Sequence, residues 1–141
     1  MQSPILGPVV ALVAWTLVMM GWLYATRLPA MARAGIELRT RVGSRPGGLD
    51  GVLPDHVQWK AHNYNHLLEQ PTIFYAVALV LAIAGAGHGV ALYLAWAYVA
   101  IRVCHSLVQA TTNRIMLRFP LFALASLVLI ALTLRATIAV F

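Results

Sequence analysis

Four apolar runs, at residues 5–24, 67–86, 90–108 and 119–140, constrain this chain more than any other feature. Each is close to the ~20 residues that an α-helix needs to cross the hydrocarbon core of a bilayer. The runs are continuous rather than alternating, which argues against transmembrane strands. The predicted fold is therefore all-α: a single-domain, integral membrane four-helix bundle. Its spans fall at roughly 5–26, 62–86, 89–113 and 117–140, with a long loop at roughly 40–58. Only 10% of the 141 residues are charged, against roughly a quarter in soluble domains, so a water-soluble globule is excluded. No Lys or Arg precedes the first run, and it is too long for a secretory h-region, so it is read as a retained span.

The charges are one-sided. Six of the ten Lys/Arg residues (Arg27, Arg33, Arg39, Arg41, Arg45 and Lys60) lie between the first two spans, and Arg114 and Arg118 lie between the last two. The opposite connection, Gly85-Ala-Gly-His-Gly89, has none. The positive-inside rule puts both basic connections in the cytoplasm and both termini outside. The net charge of +6 is thus a topology signal, and nucleic acid is not an expected partner. The stretch R-V-G-S-R-P-G-G-L-D-G (41–51) reads as loop, while residues 29–41 read as a partly helical extension of the first span. Cys104, the only cysteine, lies inside an apolar helix and reads as a small packing residue. Arg135 is placed to snorkel at the far interface, and Trp15, Trp22, Trp96 and Tyr98 read as belt or packing residues.

Polar residues inside the spans carry the functional signal. His62, His66 and Glu69 fall at i, i+4, i+7 on one face of the second span. Arg102, Ser106, Gln109 and Asn113 fall at i, i+4, i+7, i+11 on one face of the third, flanked by His105 and Thr112. Both stripes sit in the cytoplasmic half, with Glu69 about ten ångströms deep at 1.5 Å per residue. A charge in a bilayer costs about 2.5–3.5 kcal/mol on insertion scales. Glu69 and Arg102 are therefore expected to pair, to face a wet cavity, or both. Such a pair can be purely structural, or part of a ligand site formed by the two stripes. No metal is expected, because the histidines match no metalloprotease pattern, and no span holds an Asp for a Ser-His-Asp triad. Arg118 beside Pro120 reads as the start of the fourth span and as an interfacial anchor or an anion ligand.

N-H-L-L-E-Q-P-T-I-F-Y in the second span, A-W-A-Y-V-A-I-R-V-C-H-S-L-V-Q in the third and R-F-P-L-F at the fourth resemble the MAPEG family, the membrane-associated proteins of eicosanoid and glutathione metabolism. The resemblance covers roughly residues 59–122, and such members are common in bacteria. It implies a homotrimer in the bacterial inner membrane, with glutathione bound between protomers and open to the cytoplasm. It implies that Glu69 holds the glutathione amine and pairs with Arg102, that His105 lies near the ligand, and that Arg118 stabilises the thiolate. Asn65 and His66 stand where the family's glutathione synthases carry an Arg-Asn pair, and Gln109 stands where better-known members carry a tyrosine. Arg114, with Arg33 or Arg27, supplies cations suited to the tripeptide's carboxylates.

The function so implied is that of a membrane glutathione transferase or peroxidase, acting on a lipophilic small molecule that enters from the bilayer. A non-catalytic binding or scaffold protein of the same fold is the alternative. A small multidrug-type transporter fits less well: that class wants an acid in the first span and short loops, and this chain has neither.

Overall fold

Glycine, proline and one left-handed asparagine divide the chain into five helices. The computed structural model describes residues 3–37, 39–40, 42–43 and 47–141. The helices are α1 (Leu6–Arg33), α2 (Asp55–Leu67), α3 (Gln70–Ile83), α4 (Val90–Thr111) and α5 (Ile115–Val140). Among the described residues there is no strand. α2 and α3 run on as one column, so four columns are long and apolar enough to cross a membrane. α3 stops where Gly85 takes φ +69 and the Ala86 N–H reaches back to Leu81 O at 2.9 Å. That left-handed step is cheap only without a Cβ, and it satisfies a carbonyl the helix end would leave free.

Within the bundle, α4 packs against α5, α2 and α1, while α3 lies against α5 and α1. The main core holds five fully or nearly buried alanines, Ala78, Ala91, Ala95, Ala125 and Ala136, among Leu12, Phe74, Leu81, Tyr98, Leu129 and Leu132. Lipid tails are as apolar as leucine, so small residues that let helix backbones approach matter more here than hydrophobicity. Phe74 and Tyr98 stack with centroids 4.6 Å apart, joining α3 to α4. A second cluster at the basic end joins Ala30 and Met31 of α1 to Leu49, Leu53 and Val57. A third joins Met19, Leu67 and Ala110.

Several expectations need correction. The second span is not one helix: it starts at Asp55 and breaks at Leu68–Glu69, because Pro71 has no N–H to offer Leu67 O and its ring crowds that carbonyl. The partly helical extension of the first span is helical as far as Arg33. Arg41, Ser44, Arg45 and Pro46 of the expected loop lie outside the described residues. Residues 47–53 are not loose: Leu49 and Leu53 are buried, and Asp50 Oδ1 accepts from Gln58 Nε2 at 2.7 Å and lies 3.5 Å from His62 Nε2. α5 begins at Ile115, a turn before the expected start, so Pro120 sits inside it. Cys104 is exposed on the protomer rather than packed inside.

The outward faces stay apolar. Only 17% of the most apolar stretch of α5 is buried, and Leu127, Ile130, Leu134 and Ile138 are all exposed. Together with the four columns, this marks an integral, multi-pass membrane protein.

At the uncharged connection, a Cβ on Gly87 would meet Ser3 Oγ and come within 2.6 Å of Ile5 Cγ2. Gly87→Ala is therefore expected to destabilise the protein by about 1–3 kcal/mol through overpacking, read as a lower melting temperature in detergent. Gly21→Ala, with nothing within 4 Å of the added Cβ, serves as the tolerated control.

Candidate functional site

The break before Pro71 organises the polar residues. Glu69 caps α3 with φ −88° and ψ −93°, and Thr72 donates to its carbonyl through Oγ1 at 2.6 Å. On the α2 side the broken ladder frees the carbonyl of His66. Arg102 Nη2 donates to it at 3.0 Å. One turn either way along α4, Asn63 Nδ2 donates to Ser106 Oγ at 2.8 Å, and Tyr98 OH donates to Gln70 Oε1 at 3.2 Å. Gln70 Nε2 passes the chain on to Ser126 Oγ of α5 at 2.8 Å. Tyr98, Arg102 and Ser106 thus grip the broken column at i, i+4, i+8, three rungs from one face of α4.

Arg102 is fully buried, and its Nε and Nη1 have no partner within the protomer. The expected Glu69–Arg102 ion pair does not form there. The change of direction at Glu69 turns its carboxylate outward, where it is 68% exposed and accepts from His66 Nδ1 at 2.9 Å. Arg102 acts instead as a cap on the broken helix.

His66 leads to the cleft. Its ring lies tilted against those of His105 and Phe122, with centroids 5.2 Å and 5.4 Å away. These rings, with Gln109, Ile115, Arg118 and Phe119, line a cleft of about 240 Å³ between α2, α4 and α5. Gln109 Oε1 is buried there as an acceptor without a protein partner. Arg118 is half-buried, and its Nη1 donates to Asn113 Oδ1 at 2.6 Å.

Helix physics makes Arg118 informative. It stands in the first turns of α5, with its N–H on Arg114 O at 3.0 Å and no acid in the first turn. A cation there opposes the positive end of the helix dipole, which costs about 0.3–1 kcal/mol. Arginine and helix terminus together make the cleft an attractor for anions.

Four expected site residues therefore converge in one protomer: His66, His105, Gln109 and Arg118. Asn65 and Arg114 are exposed and do not line the cleft. Arg33 lines a separate cleft with His56, Pro54 and Thr26, also away from it. Phe122 was legible but unread: it follows Arg118 by four residues, on the same helical face. Asn63 gave no comparable signal, because it lies off the stripe of His62, His66 and Glu69.

Arg102 is poorly matched to a purely stabilising role. Burying its charge costs about 2.5–3.5 kcal/mol on insertion scales, while one charged hydrogen bond returns about 1.5–3. Arg102→Met, of similar length and uncharged, is therefore expected to shift stability by no more than about 2 kcal/mol. The same change should move the NMR signals of the His66 ring, which feels the currents of His105 and Phe122. A large stability loss with an unmoved His66 would assign Arg102 to packing alone.

No curated protein and no solved structure matches the chain. One family model does match, the MAPEG family, over residues 5–138. That span takes in α1 to α4, all but the last two residues of α5, and every residue of the cleft. The chain belongs to the MAPEG family.

Proposed function

We propose that the protein is a membrane enzyme that binds glutathione in the Arg118 cleft and readies its thiol for a lipophilic electrophile. One observation carries the reading: a half-buried arginine at a helix N-terminus faces a small cleft beside two imidazoles and an unpartnered amide oxygen. This donor set suits a thiol tripeptide. Glutathione supplies a sulfur nucleophile, reactive as the thiolate. The Arg118 guanidinium favours the ionised sulfur, and the Gln109 side chain lines the cleft beside it. His66 and His105 wall off the inner side, and Phe119 and Phe122 offer the electrophile an apolar surface.

The cleft of about 240 Å³ is smaller than the ~300–1,000 Å³ usual for ligand sites. The protomer therefore supplies part of the site, and a neighbour in a homotrimer supplies the rest. In that arrangement the exposed Glu69 holds the tripeptide amine, with Asn65 beside it, and Arg33 and Arg114 hold its carboxylates. The exposed apolar face of α5 suits both trimer contact and bilayer. In this reading the cleft opens to the cytoplasm, in keeping with the basic connections at that end, and the membrane is a bacterial inner membrane.

Calorimetry of the detergent-solubilised protein tests this, in two buffers of different ionisation enthalpy. Wild type is expected to bind glutathione with release of a proton. Arg118→Ala should bind about ten- to a hundredfold more weakly, the loss of a charge-assisted contact worth ~1.5–3 kcal/mol, and release no proton. Glu69→Gln should weaken binding and keep the proton release. Absence of binding heat in wild type would overturn the glutathione reading. Unchanged proton release in Arg118→Ala would overturn the thiolate role alone.

A further inference from the structure

Asn113 sits at the cleft's edge and has no part in the reading above. It is the only non-glycine residue with positive φ, +48°, among those described. Its N–H reaches back to Val108 O at 2.7 Å and closes the end of α4. The next residue, Arg114, is extended, and α5 begins directly after it. Asn113 Oδ1 accepts from Arg118 Nη1 at 2.6 Å across this short turn. From this geometry we infer that Asn113 is a positioning residue: it holds the Arg118 guanidinium over the cleft, so that its charge acts on the bound sulfur.

Three physical points converge. An arginine on a flexible stem at a membrane interface snorkels toward water and lipid phosphate unless it is held. One acceptor on Nη1 holds the planar fork and leaves its other N–H groups facing the cleft. The acceptor here is a neutral amide oxygen, which orients the cation without cancelling it as a carboxylate would. Asparagine is also among the few residues besides glycine that tolerate the left-handed conformation. One side chain thus ends α4 and aims Arg118.

The inference rests on the thiol reading of the cleft, and the test separates the two. Asn113→Gly keeps the left-handed turn and removes the amide; Asn113→Asp keeps an acceptor and adds a negative charge. Each is compared with wild type, Arg118→Ala and the double variant Asn113→Gly/Arg118→Ala, in the full-length detergent-solubilised protein. Melting temperature reports the fold. Slow rotation of the Arg118 Nη groups by nitrogen-15 NMR, assigned by loss in Arg118→Ala, reports the hold. Ultraviolet absorbance of the thiolate across pH reports the pKa of bound glutathione.

Wild type is expected to show slow Nη rotation. Asn113→Gly should melt like wild type, lose that slow rotation and raise the bound thiol's pKa by about one unit, a tenfold loss of thiolate near neutral pH. Asn113→Asp should keep the slow rotation yet also lose thiolate. In the double variant, Asn113→Gly should add nothing to Arg118→Ala. Fast rotation in wild type, slow rotation that survives in Asn113→Gly, or a thiolate loss that simply adds to that of Arg118→Ala would each overturn the inference. A wild type that does not lower the thiol's pKa would overturn the thiol reading instead, while the rotation measurement still decides whether Asn113 holds Arg118.

Discussion

The structure turns on one hydrogen bond, from the buried Arg102 guanidinium to the carbonyl of His66. A proline inside a membrane column leaves backbone acceptors with no water to turn to. Arg102 meets one of them from the neighbouring helix. With Ser106 and Tyr98 above and below, it fixes the depth of α4 beside the break that Pro71 sets. The placement of His66 against α4, and with it the inner wall of the cleft, follows from that contact.

Arg102 also shows why a membrane interior tolerates polarity only in a connected form. The path from Tyr98 through Gln70 to Ser126 and on to Phe122 O links α4, α3 and α5, each hydroxyl or amide passing to the next. Between helices in lipid such bonds do what hydrophobic contrast does in water: they select one register. The alanine-rich core complements them, since close helix approach is what brings these side chains into range.

Much of the fold was legible in the sequence. Run length and continuity named four helical columns, and the spacing of Arg102, Ser106 and Gln109 named the inner face of α4. The break at Glu69 was not read, although Pro71 marks it, because hydropathy averages over a single missing N–H. The Glu69–Arg102 pairing failed for the same reason: helical spacing holds only within an unbroken helix, and past Leu67 the face rotates. At the site, residues on continuous helix (His105, Gln109 and Arg118) were placed correctly beside the cleft. The cations expected from other segments do not reach it: Arg33 ends α1 beside a different cleft, and Arg114 is exposed at the start of α5, and neither position's direction is encoded by a periodicity.

The link between α4 and α5 has a mechanical consequence. Only three residues, 112–114, separate the two helices, and the turn is closed by backbone and side-chain bonds at once. α4 and α5 are therefore joined as a short hairpin, which ties the Gln109 and Arg118 sides of the cleft together at this end. The opposite wall is carried by α2, whose ladder is already interrupted at Leu68–Glu69. The cleft thus has one wall closed by a three-residue turn and another carried by an interrupted helix that the Arg102 and Ser106 bonds hold against α4.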